Sequence, residues 1–213
     1  MHSRSGSPLD VALAIGIGLA VLARPALATE SRIAAAGCTV EIDGDSTLHK
    51  YSATSHDCRC SFGLSAAVPD PAQSATLEAL MRGHQIDAFS MAIPVSSLRS
   101  DDKHLDEHMW KALKQGQFPR IRFEMTRYRV VAAAVAGAAF TLDMQGQLEV
   151  AGVVRPIQLS ANVRHTARGL QVWGARDLRM TDFNVTPPTL MLGAIKTADA
   201  ITIKFNVELR AGA

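Results

Sequence analysis

The sequence predicts an all-β protein of about eight to ten antiparallel strands, arranged as a barrel or a sandwich. Apolar and polar residues alternate along much of the chain, as in "ITIKFNVEL" (201–209) and "IQLSANV" (157–163). Such alternation is typical of strands with one buried and one wet face. Short turn sequences such as Ala151-Gly152 and Pro187-Pro188 separate the runs. No strand–helix–strand rhythm is present, which favours antiparallel order.

The remaining strands are predicted in chain order from the same alternation. An early hairpin is expected from "TLHKYSATS" (47–55) and "CRCSFGL" (58–64), followed by strands in "DAFSMAIPV" (87–95), "IRFEMTRYRV" (121–130) and "FTLDMQGQLEV" (140–150). The segment "ATLEALMRG" is ambiguous in composition and is compatible with a short helix. We find no internal repeat and no linker, so one domain is expected.

One amphipathic helix is predicted over about residues 101–115. Asp101 and Asp102 suit its first turn, and Gly116 and Pro119 follow its end. Its apolar residues recur at helical spacing, at Leu105, Met109, Ala112 and Leu113. A lone amphipathic helix in such a chain is expected to pack on the sheet or to plug an open end of the barrel.

The same helix contains an H-x-x-E-H pattern formed by His104, Glu107 and His108, as in inverted zinc metalloproteases. Such a site needs a third protein ligand, and no later helix is present to supply one. Lys111 lies on the same stripe and would repel a cation. A zinc hydrolase is therefore kept as a remote alternative. No other nucleophile set or phosphate loop is found, so we expect no enzyme, no metal and no cofactor.

The first 28 residues are predicted to be a signal peptide. An apolar run from Val11 to Ala23 follows Arg4, and Ala26-Leu27-Ala28 supplies the small residues before a cleavage site. Cleavage after Ala28 leaves a mature domain of residues 29–213 that is periplasmic or secreted and does not span the membrane. A lipoprotein anchor at Cys38 is the competing interpretation.

Charge and cysteine content limit the functional classes. Removal of Arg4, Arg24 and Asp10 with the signal peptide leaves 20 basic and 19 acidic residues, which gives no electrostatic case for nucleic acid. Three cysteines remain, and in an oxidising compartment a disulfide is expected between Cys38 and either Cys58 or Cys60.

Several segments, taken in order, resemble the YceI-like family. The matching motifs are Val95 to Leu98, Asp102 to Leu105, Pro119 to Phe123, Gly146 to Gly152 and Arg179 to Phe183. The resemblance covers roughly Thr39 to Leu209. It implies a lipocalin-like antiparallel β-barrel of about eight strands with an apolar interior. It also implies an exported protein that binds polyisoprenoid chains, such as isoprenoid quinones or polyprenyl phosphates.

A barrel of this kind holds one elongated apolar ligand if its inward side chains leave room. The alternation predicts which strand side chains face the interior, and Trp110 of the helix is expected to close one mouth of the barrel. The predicted lipid-binding residues are Phe89, Met91, Ile93, Trp110, Phe123, Met125, Phe140, Leu142, Met144, Leu159, Phe205 and Val207. Arg99, His104 and Arg179 are the candidates for contact with a polar headgroup.

The expected function is therefore to hold or carry a long isoprenoid or other long-chain lipid. The main alternative is a filled barrel that acts as a protein-interaction or stress-response module, because periodicity does not distinguish a filled interior from a hollow one. The choice of lipid and the formation of a homodimer stay open.

Overall fold

The computed structural model describes residues 33–65, 74–190 and 195–211, so the predicted signal peptide lies outside the described residues. The described chain contains ten strands and two α-helices. The strands are β1 (Ile33–Ser46), β2 (Tyr51–Ser55), β3 (Arg59–Leu64), β4 (Ile86–Pro94), β5 (Arg120–Val131), β6 (Phe140–Val150), β7 (Val153–Thr166), β8 (Gly169–Arg179), β9 (Thr189–Leu190) and β10 (Ile195–Ala211). The helices are α1 (Ser74–Arg82) and α2 (Lys103–Ala112).

All pairings in the sheet are antiparallel, in the order β2-β1-β10-β8-β7-β6-β5-β4-β3, with the short β9 on β10. The sheet curls until β3 lies beside β1, where a disulfide joins Cys38 to Cys58 across a Cα–Cα distance of 5.8 Å. Within the described ranges no backbone ladder joins β3 to β1 or β2, so the prediction of an early hairpin between residues 47–55 and 58–64 was wrong: β2 pairs with β1 and β3 with β4. This curled, lipocalin-like sheet confirms the predicted fold class.

Turn chemistry fixes the register of the sheet, most clearly between β6 and β7. Val150 pairs with Val153, so Ala151 and Gly152 form a two-residue turn. Both turn residues have positive φ, 50° and 81°, as the favoured hairpin turn requires. A Cβ on Gly152 would also lie 2.3 Å from the Phe118 ring. Glycine is therefore required here for both conformation and space.

The two helices lie at opposite ends of the curled sheet. Because α2 connects the end of β4 to the start of β5, it lies where β6 and β8 end and β10 begins. The other helix, α1, connects β3 to β4 and therefore lies at the opposite end. There Glu78 of α1 pairs with His165 near the end of β7, and Arg82 lies over Phe140 at the start of β6. We refer to these as the α2 end and the α1 end.

The structure defines the bounds of α2 and shows that the ambiguous segment before β4 is a helix. The predicted helix at 101–115 is shorter, because Asp102 is its N-cap and accepts the His104 backbone N–H at 2.8 Å, while Leu113 is its C-cap. The ambiguous segment near residue 80 is helical and buries Leu77, Leu80 and Met81. Neither helix of the described chain is long and apolar enough to cross a membrane.

Candidate functional site

The inner face of the sheet surrounds a cavity of about 230 Å³ whose lining is almost wholly apolar. Within the described residues, lining side chains come from nine of the ten strands and from both helices. On β6 alone they extend from Leu142 to Val150, roughly 27 Å along the strand at about 3.4 Å per residue. The cavity is therefore long compared with its volume, a shape that suits a chain better than a compact molecule.

Most of the interior residues predicted from the alternation line this cavity. They are Phe89, Met91, Ile93, Phe123, Met125, Leu142, Met144, Leu159, Phe205 and Val207. The ring of Phe205 lies against the backbone of Gly174, where a Cβ would come within 2.6 Å of it. A side chain at residue 174 would displace this ring, so the glycine gives the cavity part of its width.

Trp110 and Phe140 do not line the cavity, although Phe140 lies in the buried interior, as the alternation predicted. Trp110 lies one residue beyond Met109 and therefore about 100° from it around α2. Its indole N–H donates to the Leu98 carbonyl at 3.1 Å. Phe140 is 1% exposed and packs in the same buried cluster as the apolar side chains of α1.

Two of the three predicted headgroup contacts also lie away from the cavity. The Arg99 guanidinium lies 4.2 Å over the Trp110 ring and 3.6 Å from the Asp106 carboxylate. Asp106 is 3% exposed and accepts from both the backbone N–H and the hydroxyl of Ser100. Arg99 is thus part of the contact between α2 and the preceding loop. His104 is exposed on α2 and is absent from the lining.

The third predicted contact, Arg179, lines the cavity at its α2 end, together with three polar residues that the prediction did not include. These four residues, which we call the mouth, are Tyr51, Arg176, Arg179 and Thr197. Register places them together, because Gly44 of β1 pairs with both Tyr51 and Ile201, and Arg179 pairs with Ala200. Both arginines are exposed. Neither takes part in an ion pair among the described residues.

The position of Arg176 at the cavity could have been inferred from the sequence. The even-numbered residues of β8, including Val172 and Leu178, face the cavity, and Arg176 is a charged residue within this apolar stripe. An arginine at such a position puts its aliphatic stem against apolar groups and its charged head at the rim.

The two tyrosines of the lining are neutral hydroxyl groups at physiological pH. Burial raises the pKa of Tyr51 above its usual value of 10.0, and the neighbouring Asp45 carboxylate adds to this rise. Burial also raises the pKa of Tyr128. At the α1 end the Tyr128 hydroxyl donates to the Met81 carbonyl at 3.0 Å. Tyr51 therefore offers a donor to a polar group at the mouth, while the Tyr128 donor is already used.

The H-x-x-E-H pattern does not form a metal centre in the structure. His104, Glu107 and His108 are all exposed on α2, and none lines the cavity. Within residues 33–65, 74–190 and 195–211, no three His, Cys, Asp or Glu side chains are grouped to hold a metal ion. The zinc-hydrolase alternative therefore has no site in the described chain.

Of the two disulfides that the sequence left open, the structure contains Cys38–Cys58, and Cys60 is a free thiol. Burial raises the pKa of Cys60 to about 11. At pH 7 about one thiol in ten thousand is then ionised, and the thiolate is the reactive form. Cys60 therefore contributes apolar packing next to the cavity and is a poor nucleophile.

Comparison with solved structures finds the same fold. BcnA from Burkholderia cenocepacia is similar with a TM-score of 0.58 and 15% identity, over 81% of this chain and 95% of BcnA. A polyisoprenoid binding domain from Saccharophagus degradans, implicated in plant cell wall breakdown, has a TM-score of 0.57 and 13% identity. That match covers 84% of this chain and 98% of that domain. A search of curated protein sequences found no match.

Comparison with protein families gives a match over most of the chain. The profile of the YceI-like domain matches residues 33–209, from the start of β1 almost to the end of β10. This range contains every motif on which the resemblance in the sequence was based. The chain therefore belongs to the YceI-like family.

Proposed function

We propose that this protein is an exported, non-catalytic binding protein that holds a long isoprenoid or similar lipid in the cavity of its curled sheet. The observation that carries this proposal is the cavity itself, which is elongated, apolar along its length and polar at one end. A lipid with a hydrocarbon chain and one polar end has the same distribution of polarity.

The energetics of such binding come mainly from the chain. Each methylene removed from water contributes about 0.8 kcal/mol, and little directional recognition is needed. This agrees with the part of the lining that the structure describes, in which the polar side chains are Tyr51, Tyr128, Arg176, Arg179 and Thr197. The two arginines at the mouth favour an anionic or strongly polar headgroup there.

The volume of the cavity indicates that side chains move when a long chain enters. Drug-sized ligands usually occupy about 300–1,000 Å³, which exceeds the 230 Å³ present. Six methionines of the described ranges line the space: Met81, Met91, Met109, Met125, Met144 and Met180. Methionine has three rotatable bonds and adapts to irregular shapes, so we expect these side chains to rearrange around a ligand, except Met81, which is only 2% exposed.

Export is supported by two features. Residues 1–28 have the sequence of a signal peptide, and the Cys38–Cys58 disulfide is of a kind that persists in oxidising compartments such as the periplasm or the extracellular space. The proposed mature protein therefore begins at Thr29, which mass measurement of the protein from its native compartment tests.

The alternative of a filled interior acting only as a protein-interaction module makes a different prediction for substitutions inside the cavity. Ala53 lines the cavity and is 2% exposed, whereas Ala175 lies on β8 with its side chain exposed. An Ala53→Trp substitution places a large side chain where the ligand would lie. Ala175→Trp adds the same side chain outside and is the matched control.

We expect the wild-type protein and Ala175→Trp to take up a polyprenyl phosphate or an isoprenoid quinone with the same affinity. Ala53→Trp should bind at least about tenfold more weakly, since the ligand competes with the indole for the same space. Fluorescence titration, with circular dichroism as the check on folding, measures both. Equal binding by a folded Ala53→Trp would contradict a ligand in the cavity.

A further inference from the structure

Helix α1 forms a floor at the end of the cavity opposite the mouth. Its residues Leu77, Leu80 and Met81 are 1%, 3% and 2% exposed, and all three pack into the core. Of the three, only Met81 lines the cavity. Met81 is therefore the side chain of α1 that a chain entering from the mouth meets at the far end. We call Met81 and the adjacent Tyr128 the floor.

The floor is fixed by contacts from three neighbouring strands. The Tyr128 hydroxyl of β5 donates to the Met81 carbonyl at 3.0 Å. The Arg82 guanidinium lies 4.5 Å from the centre of the Phe140 ring of β6. Glu78 accepts from Arg82 at 2.6 Å and lies 2.7 Å from Nε2 of His165 of β7. These contacts hold α1 across the end of the sheet.

The two ends of the cavity differ in polarity, which orients a ligand. The mouth presents two arginines, a hydroxyl donor from Tyr51 and Thr197. At the floor the Tyr128 hydroxyl is already paired with the helix. A buried polar group without a hydrogen-bond partner costs free energy. A polar headgroup is therefore favoured at the mouth, where it finds such partners, and disfavoured at the floor. The hydrocarbon end of the ligand therefore points towards α1.

We propose that Met81 determines the length of the hydrocarbon chain that the cavity accepts. This inference rests on the proposed function and adds a length limit to it. Each added methylene strengthens binding by about fourfold while it is buried. That gain stops when the chain reaches Met81, because α1 is fixed and a longer chain must bend back or leave part of its length in water.

The test uses a series of prenols of one chemical type: geraniol, farnesol, geranylgeraniol and solanesol. Their affinities for wild-type protein, Met81→Ala and Met109→Ala are measured by competition with an apolar fluorescent probe. Met109 is the matched control, since it is also a cavity-lining methionine on a helix, but lies on α2 at the other end. A second variant, Met81→Val, removes less volume and covers the case in which Met81→Ala does not fold.

For wild type we expect affinity to rise along the series and then to level off at one length. In Met81→Ala and Met81→Val this limit should move to a longer prenol, with the shorter prenols changed by less than about fourfold. In Met109→Ala all lengths should change alike and the limit should stay. If the wild type binds prenols, two results would overturn the inference. One is the same length limit in both folded Met81 variants as in the wild type. The other is an equal shift of the length limit in Met109→Ala. Absence of prenol binding by the wild type would instead overturn the proposed function, and the length limit with it.

Discussion

Arg176 shows how a single residue gives the cavity its direction. It occupies an inward-facing position of β8, between the apolar residues Val172 and Leu178. Its neighbour Asp177 lies on the other face of the strand, where its carboxylate accepts from the Thr202 hydroxyl at 2.7 Å, and the two residues form no ion pair in the described chain. A positive charge at the rim of an apolar cavity favours a ligand that has a negative or strongly polar end.

An Arg176→Leu substitution should therefore weaken binding of a polyprenyl phosphate by about tenfold to a hundredfold. A hydrogen bond to a charged group contributes about 1.5–3 kcal/mol. Binding of an uncharged prenol of the same chain length should change little. Titration of both ligands measures the difference, with Arg168→Leu in the exposed β7–β8 turn as the control. Equal weakening for the phosphate and the prenol would show that Arg176 acts through packing and not through its charge.

The interior positions could be predicted from the sequence because a strand alternates its side chains between two faces. Phe89, Phe123 and Phe205 were placed correctly by this rule alone. The burial of Asp106 was not predicted, since nothing local reveals that this acidic residue is buried and bonded to Ser100. Arg99 was predicted to contact a lipid headgroup because of its charge. Its position depends instead on contacts with Trp110 and Asp106, which form only when the chain folds.

At the scale of elements, α1 is held by a small cluster of polar side chains at its junction with β7. The Glu78 carboxylate lies between Arg82 and His165. The hydrogen bond from Arg82 is the largest cause that lowers the pKa of Glu78 below its usual 4.5, and His165 contributes in the same direction. A carboxylate whose pKa is lower in the folded state stabilises the fold when ionised, and this contribution disappears when it is protonated.

Comparison of wild type with Glu78→Gln over a range of pH tests this contact. The difference in free energy of unfolding should be up to about 1 kcal/mol near neutral pH, the size of a partly exposed ion pair. It should diminish as the pH falls below about 4.5 through the lower pKa of the folded state. Urea denaturation at each pH provides the measurement, and Glu107→Gln, on an exposed part of α2, is the control. A difference that stayed constant down to pH 2 would mean that Glu78 stabilises α1 through packing.

The elements that the sequence identified well are those with a long, unbroken alternation, such as β6 and β10. Helix α1 was ambiguous because nine residues offer only about two and a half turns of periodicity, and its burial depends on the sheet that it covers. For α2, the helical spacing predicted the apolar face of the helix but not the position of Trp110. Its indole is positioned by the Leu98 carbonyl of another segment.

At the scale of the whole molecule, the curled sheet produces a space that no single strand contains. The curvature of the sheet brings its first strands, β2 and β1, close to its last strand, β3. Within the described chain no backbone pairing joins these edges, and the Cys38–Cys58 disulfide links them instead. Local alternation predicts which side chains face inward, but whether they fill the interior depends on the curvature of the sheet. The presence of the cavity, its volume and its polar end therefore had to come from the structure.

The central claim is that this cavity carries a lipid with its polar end at the mouth. Native mass spectrometry of the protein, purified from its natural compartment without detergent, tests it most directly. We predict a mass above that of the polypeptide, lost on organic extraction, with the extract containing an isoprenoid that has a polar or phosphorylated end. A bare polypeptide mass, together with no uptake of added polyprenyl phosphate or isoprenoid quinone, would contradict the claim.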